Sequence, residues 1–497
     1  MKKMTLKMRL FGGIVAVSMA FFAVSCADGA PDDERVEIGV YDTQLETPAL
    51  DASNFAKVTN PDGSESIMVT WPVVLGAKGY LCNVNIVDDP TNPEVIVADS
   101  LVDDSSISFP AREETKYEFS LRTIGDPERG NLDAVEAVTA AYSTMVPAIV
   151  VPAGEISEFI MANLVDSEDE QAFELAPDTE YTLEGPIDFG LNQFTLRGDK
   201  VRHSLITVKD DGCIMTQAGL KVKWINFDCT DMTSNGLITM SPTPDPSIEN
   251  TVLGYTGGNT GNFLVLDPII IEDCWIKNLP MALLYDNKQK YALKDFRLRN
   301  CLIQCDNATG TSFIEFDNGG VIIRDMTIEN NTIWNVQTNN SAYFLRFSNS
   351  SNTLKAFGSN SSTNSYITHI WKNNTIAKMF TGKDFGNNVP QNKIATYTVS
   401  NNNFYDVYRL YQYLHNNCTR YCSNNAIWYN EASPQSNDYG GRTDTNGNPF
   451  CILEEGTTPN AAAADMPLLD LTQPNGGVNF KASGALSSTI GDPRWLE

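Results

Sequence analysis

Histidine and positive charge are scarce in this chain of 497 residues. It has three His, and its 35 Lys and Arg face 62 Asp and Glu, which gives a formal net charge of −27. A surface of this sign repels nucleic-acid phosphates and anionic lipid headgroups, so neither is expected as a partner. The three histidines stand apart, at His203, His369 and His415. A zinc site is therefore not expected either, because such sites need clustered His and Cys ligands.

Long apolar runs are missing beyond the first 25 residues, and those residues predict a signal peptide. A basic start (Lys2, Lys3, Lys7, Arg9) precedes the apolar stretch Leu10–Val24, which is too short to span a bilayer comfortably. The stretch ends in A-V-S-C (Ala23–Cys26), which resembles the lipobox of bacterial lipoproteins. The resemblance implies a lipid anchor on Cys26, with an ordinary cleaved signal peptide as the alternative.

The segment 26–44 is expected to be a flexible linker. Its acidic stretch Ala27–Glu34 is similar to the export tags of Bacteroidetes-type surface lipoproteins. This likeness implies an outer-membrane lipoprotein exposed on the cell surface, with the periplasmic face as the alternative location. No later stretch is long and apolar enough to predict a membrane span.

Cysteine is present in an odd number once Cys26 is set aside. Ten Cys less Cys26 leave nine, so a monomer has at least one free thiol even though export permits disulfides. Cys213, Cys229, Cys274 and Cys301 lie in or beside apolar runs, where Cys often behaves as a small core residue.

One short phrase recurs six times, and it predicts the main architecture. The phrase reads apolar, any residue, Asn or Asp, any two residues, apolar; its copies are Ile271–Ile276, Leu298–Ile303, Ile328–Ile333, Trp371–Ile376, Val399–Phe404 and Cys422–Ile427. The Asn or Asp positions are 273, 300, 330, 373, 401 and 424, in steps of 27, 30, 43, 28 and 23 residues. Steps of this size indicate a solenoid, and Asn at a repeated bend indicates a parallel β-helix with a hydrogen-bonded Asn ladder.

Two modules are expected after the linker. Residues 45–148 show short alternating strands around Trp71 and Tyr117 and resemble a fibronectin type III domain. Val150–Pro152 is interpreted as a connection. In Glu155–Leu164, apolar residues at helical spacing predict a helix that caps the first coil of the second module, residues 153–497.

The cap helix, the early strand Phe194–Asp199 and the ending Asn479–Trp495 resemble a family of Bacteroidetes surface lipoproteins. Members carry a fibronectin type III domain followed by a pectate-lyase-like, right-handed parallel β-helix, assigned to domains of unknown function. The resemblance implies an all-β fold and a role in polysaccharide use, pectin included, beside other surface glycan-uptake proteins. It supplies no catalytic residues.

Aligned repeats define two outward columns of the predicted helix. One alternates in charge (Glu272, Arg299, Glu329, Lys372) and is interpreted as a stabilising ladder. The other carries rings that could stack on sugars, and the predicted carbohydrate-binding residues are Trp334, Tyr405, Trp428, Lys378, Asp406 and Tyr429. The alternative is that loop insertions cover these rings.

An enzyme of this fold that acts on pectin would need one of two sets of catalytic residues. The G-H-G and R-I-K motifs of polygalacturonases are absent, which argues against a hydrolase. A polyuronate lyase would need Ca²⁺ on clustered carboxylates and an Arg or Lys base. Glu315 and Asp317 are the candidate Ca²⁺ ligands, and Lys378, Arg324 and Arg346 the candidate bases. We therefore expect a non-catalytic polysaccharide-binding protein, with a calcium-dependent lyase and a structural protein or adhesin as alternatives.

Overall fold

A computed structural model describes most of the chain. The described residues are 39–255, 260–317, 323–348, 356–358, 367–391, 393–415, 417–428, 443–449, 451–452, 466–482 and 484–496. The predicted signal peptide, Cys26 and Tyr429 lie outside these ranges, so the predictions made for them remain predictions. None of the helices in the described ranges has the length and apolar composition of a membrane span.

The chain divides into two compact units, of which the first ends at Ser143. Its strands form an antiparallel β-sandwich of a three-stranded and a four-stranded sheet. The first sheet contains, in spatial order, Phe55–Thr59, Glu65–Thr70 and Ser106–Pro110, and the second Glu94–Val102, Ala77–Ile86, Lys116–Gly125 and Val138–Ser143. Short 3-10 turns lie at Ala52–Asn54 and Pro127–Arg129.

The core of the sandwich lies between its two sheets and contains both residues singled out in the sequence. Trp71 packs at 5.3 Å from Tyr80, ring centre to ring centre, and is buried. Tyr117 is fully buried, and its hydroxyl accepts a hydrogen bond of 2.7 Å from the backbone N–H of Arg112, five residues upstream. That bond fixes the corner before its strand, as a tyrosine corner does.

The second unit is a right-handed parallel β-helix made of three sheets, which confirms the predicted fold. We name them sheets I, II and III in the order in which each coil visits them. Sheet I contains Ala148–Val151, Gln171–Leu175, Phe194–Arg197, Leu220–Lys223, Ile269–Glu272, Tyr291–Arg299, Ile323–Glu329, Ile367–Lys372, Ala395–Ser400 and Thr419–Ser423, with Phe263–Val265 paired beside Tyr291–Arg299. Val150 and Val151 thus belong to the first strand of sheet I, and the interpretation of this segment as a connection was wrong.

Sheets II and III complete each coil. Sheet II contains Gly154–Glu155, Glu180–Leu183, Ser204–Asp210, Ile225–Met232, Trp275–Leu279, Leu302–Cys305, Thr332–Asn335, Thr375–Ala377, Asn403–Tyr405, Asn425–Trp428 and Cys451–Ile452. Sheet III contains Pro186–Asp188, Cys213–Thr216, Gly236–Met240, Ala282–Tyr285, Ile314–Phe316, Leu345–Phe347 and Gly386–Asn387. Further 3-10 turns lie at Pro246–Ile248, Tyr411–Leu414, Pro474–Gly477, Gly484–Leu486 and Pro493–Trp495.

A single α-helix in the described ranges, Ser157–Asn163, closes the start of the β-helix core. Ile156 and Ile160 are fully buried in the core cluster of the first coils. Phe159 packs edge-on against Phe173 with ring centres 6.3 Å apart. The cap predicted from helical spacing is therefore confirmed, and it protects apolar side chains that have no preceding coil to cover them.

The bend between sheets I and II carries two parallel ladders of Asn. The Asn predicted from the repeat phrase adopts a left-handed conformation, with φ of 58° at Asn330 and 54° at Asn373, and the two amides are hydrogen-bonded at 3.1 Å. The buried ladder is formed by the next residue of each repeat; its members are Asn331, Asn374, Asn402 and Asn425. Each of the first three donates a side-chain N–H to the following Asn at 2.9–3.0 Å. The ladder was predicted, but its buried position lies one residue later.

The predicted charge ladder is present in part, and the cysteine interpretation agrees with the structure. Glu272, Arg299, Glu329 and Lys372 are aligned on consecutive rungs of sheet I, and Lys372 lies 3.8 Å from Glu329. Glu272 pairs instead with Lys223 of the preceding rung, at 3.0 Å. The eight cysteines whose side chains are described are all buried free thiols. Burial raises the pKa of the Cys82 and Cys213 thiols to about 12, which makes them poor nucleophiles.

Candidate functional site

The predicted aromatic column exists on sheet II, but a sugar cannot reach it. Gln304, Trp334, Ala377, Tyr405 and Trp428 are aligned on consecutive rungs, as the repeat predicts. The three rings, however, are only 0%, 6% and 7% exposed. The prediction that Trp334, Tyr405 and Trp428 bind carbohydrate was therefore wrong, because their faces are already occupied by protein.

A segment from the end of the sequence covers this column. We name residues 466–482 and 484–496 the C-terminal segment; its apolar side chains form one buried cluster with the sheet II rings. Phe480 packs on Trp334 with ring centres 5.1 Å apart, and the Trp334 indole N–H donates to the Pro467 carbonyl at 2.8 Å. The alternative considered in the sequence, that the rings are covered, therefore holds, although among the described residues the cover comes from this segment rather than from an insertion.

Polar contacts hold the end of the C-terminal segment on the coils. The Thr332 hydroxyl donates to the Asp492 carboxylate at 2.7 Å and accepts from the Trp495 indole at 2.6 Å. Arg494 donates to the Asn300 carbonyl and, at 3.4 Å, to the Asn330 carbonyl, both on the outer Asn ladder. The segment thus satisfies backbone groups of the bend as well as burying rings.

The polar residues predicted beside the rings are held in turns. Lys378 and Asp406 directly follow strands of sheet II, with φ of 51° and 48°. Their backbone N–H groups donate to the carbonyls of Tyr405 and Trp428, at 2.8 and 2.7 Å. Both residues are half-buried, and with the rings covered they no longer flank an accessible sugar-binding strip.

A second outward column, on sheet III, consists mostly of polar residues. Alternate residues of these strands, such as Ile314 and Phe316, point into the core, so the residue between them points outward. The aligned outward residues are Asp188, Met215, Thr239, Tyr285, Glu315, Arg346 and Asn387. At about 4.8 Å per rung, they form a straight track of roughly 29 Å. Thr239 and Tyr285, in its middle, are only 3% and 5% exposed, so the accessible parts of the track lie toward its two ends.

Three residues on this track were predicted as lyase candidates, and the structure brings them together. The Arg346 guanidinium lies 2.6 Å from Asp317 and 3.7 Å from Glu315, and so bridges two carboxylates on the same face. Glu315 also accepts a 2.7 Å hydrogen bond from the Ser312 backbone. The side chains of Arg346 and Asp317 remain 33% and 36% exposed, so the cluster is accessible from solvent.

Two tyrosines flank this cluster. The Arg346 guanidinium lies 6.0 Å from the centre of the half-buried Tyr343 ring. On the preceding rung, burial and then the nearby carboxylates of Asp286, Glu315 and Asp317 raise the pKa of Tyr285 to about 12. The cluster therefore combines hydrogen-bond donors and acceptors with an aromatic ring, in a negative local potential.

The residues named for the lyase alternative are not brought together in one site. Arg324, Arg346 and Lys378 lie on or directly after strands of three different sheets, and Arg324 is paired with Asp325 at 2.6 Å. Calcium does not fit Glu315 and Asp317, because the Arg346 guanidinium already lies between their oxygens. Within the described ranges, no group of three or more His, Cys, Asp or Glu is placed to hold a metal ion. Asp444 forms an Asx turn, since its carboxylate accepts hydrogen bonds from the backbone N–H groups of Asn446 and Asn448.

An acidic cavity of about 820 Å³ lies at the first rung of the track. Asp188, the outward residue of that rung, contributes to its wall and accepts a 2.6 Å hydrogen bond from the Ser241 hydroxyl. Four further carboxylates line it, those of Asp166, Glu168, Asp245 and Asp267.

The sheet III track was missed in the sequence because its strands are short and stand between loops of variable length. The signal was present in the triplets I-E-F at 314–316 and L-R-F at 345–347, in which one polar residue stands between two apolar ones. Aligning these triplets would have paired Glu315 with Arg346.

Comparisons with known proteins identify no characterised relative. Two family models match, each described as a domain of unknown function: DUF4992 over residues 1–185 and DUF4957 over residues 179–336. No curated protein matches the chain.

Similar solved structures include pectate lyase PelI from Erwinia chrysanthemi in complex with tetragalacturonic acid and pectate lyase Pel3 from Pectobacterium carotovorum. Both are 11% identical over 81% of this chain and 97% of theirs, with TM-scores of 0.16 and 0.14. A likeness this low supports no argument about what this chain binds.

Proposed function

We propose that this protein is a lipid-anchored outer-membrane protein that captures a polysaccharide on sheet III of its β-helix without cleaving it. The supporting observation is the cluster of Glu315, Arg346 and Asp317 beside Tyr343, on a straight polar track. Carboxylates and a guanidinium together accept from and donate to sugar hydroxyls, and an adjacent ring can stack on a sugar face.

The remaining parts of the proposal come from the sequence. Cys26 would carry the lipid, and the β-sandwich would act as a fibronectin type III spacer between the anchor and the β-helix. Neighbouring glycan-uptake proteins on the cell surface would receive the captured polymer.

Affinity electrophoresis tests the binding site. The intact chain should be retarded in native gels that contain its polysaccharide, within a panel of plant and microbial polymers, and Arg346→Ala and Tyr343→Ala should abolish the retardation. Arg297→Ala is a matched control, because Arg297 is 36% exposed and pairs with Asp295 at 2.5 Å, but on sheet I. If Arg346→Ala is retarded like the wild type, sheet III is not the site.

Three further measurements test the absence of cleavage, the lipid anchor and the exposure on the cell surface. Polygalacturonate with Ca²⁺ should yield no ultraviolet-absorbing unsaturated uronides, and their release would replace binding with lyase activity. Radioactive palmitate should label the wild type but not Cys26→Ala, and protease added to intact cells should digest a surface-exposed protein. Equal labelling of the two chains would refute the anchor.

A further inference from the structure

The charge around the sheet III track indicates which polysaccharides it can accept. Glu315 and Asp317 share one Arg346, so this cluster carries a formal charge of minus one before any ligand arrives. The Asp286 carboxylate adds to this negative charge, since it contributes to the raised pKa of the neighbouring buried Tyr285. An incoming carboxylate or sulfate would therefore meet repulsion at the same place where it would seek the guanidinium.

Two arginines elsewhere on the coils do not reverse this sign. Arg409 lies 2.6 Å from Asp384, which is two residues before the last strand of sheet III. Arg324 lies 2.6 Å from Asp325. Each of these guanidinium groups is matched by a carboxylate, so neither adds a net positive charge for an anionic polymer.

The cavity at the first rung has the same character. Its described lining contains five carboxylates and neither Lys nor Arg. A polyanion at the Asp188 end of the track would meet these carboxylates, whereas hydroxyl groups would find acceptors there.

Resting on the proposed function, we infer that the ligand of sheet III is a neutral, hydroxyl-rich polysaccharide, bound without a divalent cation. The Arg346 guanidinium takes the place that Ca²⁺ would occupy between Glu315 and Asp317, and it supplies the positive charge there. It positions the two carboxylates as acceptors for sugar hydroxyls, and its guanidinium donors not directed at the carboxylates remain available to sugar oxygens. Pectate, a polyanion, is then a poor ligand even though the fold is shared with proteins that bind it.

The test uses pairs of polymers that differ mainly in charge. The pairs are fully methyl-esterified homogalacturonan with polygalacturonate, hydroxyethylcellulose with carboxymethylcellulose, and dextran with dextran sulfate. In every pair that retards the intact protein, the neutral member should retard it more, and EDTA should leave that retardation unchanged. Stronger retardation by the charged member, or loss of binding in EDTA, would overturn the inference while leaving polysaccharide binding intact. Failure of every polymer on the wider panel would instead remove the proposed function, and this inference with it.

A charge-removing variant provides the internal control. Glu315→Gln with Asp317→Asn should raise the affinity for the anionic member of the binding pair by roughly fivefold to tenfold, as expected for charges a few ångströms apart near a surface. Asp295→Asn with Asp325→Asn removes two carboxylates from adjacent rungs of sheet I and should produce a smaller change. Equal gains in both variants would show that overall charge decides, and would refute a selective site. Unchanged melting temperatures confirm that both variants are folded.

Discussion

Two columns of side chains run along the same coils of the β-helix and have opposite surroundings. On sheet II, Trp334 is fully buried beneath the C-terminal segment, whereas on sheet III, Arg346 keeps a third of its side chain in solvent. The covered column carries the large aromatic rings that sugar-binding surfaces often use, and the accessible column carries charged and polar groups. Residue type alone therefore does not show which face of this solenoid a ligand can reach; what lies over each face does.

The largest expected effect would come from breaking the covered column. Trp334→Ala removes a buried indole packed on Phe480 and should lower the free energy of unfolding by about 4 kcal/mol. Urea denaturation followed by circular dichroism measures this. Tyr343→Ala, at the half-buried ring beside Arg346, serves as the comparison and should cost much less. A stable Trp334→Ala chain that no longer binds polysaccharide would reverse the roles of the two columns.

A second test concerns the core beneath the accessible column. His369 is buried near Phe347 of sheet III, with its Nε2 3.0 Å from the Ile323 carbonyl, and burial lowers its pKa to about 4. The unfolded chain binds this proton near pH 6.5, so stability is full above that pH and is lost as the pH falls toward 4. The loss should be on the order of 3 kcal/mol.

Urea midpoints at several pH values between 7 and 4 measure this loss. His369→Gln should show a flatter dependence than the wild type across that window. Parallel curves for the two chains would mean that His369 is not the responsible group.

The bend between sheets I and II offers a smaller test of the same contrast between covered and exposed groups. Asn374→Ala deprives the Asn331 and Asn402 side chains of buried partners and should cost about 2 kcal/mol. Asn373→Ala, on the half-exposed outer ladder, should cost about 1 kcal/mol, largely for its left-handed backbone. Thermal unfolding of the two variants compares them, and equal losses would show that the buried ladder has no special weight.

The smallest expected effect on stability belongs to the accessible cluster. Arg346→Ala breaks two partly exposed ion pairs and should change the free energy of unfolding by less than about 1 kcal/mol, since solvent screens such pairs. Urea denaturation checks this beside the binding assay. A loss comparable to that of Trp334→Ala would mean that the cluster is a structural element rather than a site.

The repeat phrase predicted much of this architecture because it records a local constraint. A left-handed bend favours Asn or Asp, and its period fixed the register that places Gln304, Trp334 and Tyr405 on consecutive rungs. The same rule misplaced the buried ladder by one residue, since the phrase specified position 373 and left position 374 unspecified.

Whether each column is covered or exposed could not be predicted from the same phrase. Pro467 and Phe480 contact Trp334 from more than 130 residues further along the chain, and nothing in the repeats encodes that contact. Glu315 and Asp317 were named together as candidate ligands, but their bridging by Arg346 depends on an alignment of short strands across a loop of variable length.

The C-terminal segment also has a consequence for the order of synthesis. Its residues follow every coil in the chain, so a protein made from its amino end completes its rungs before their cover emerges. During that interval Trp334, Tyr405 and Trp428 would present a straight apolar stripe to the solvent. Two nascent chains could associate along this stripe. The protein would therefore depend most on cellular chaperones before residues 466–496 emerge.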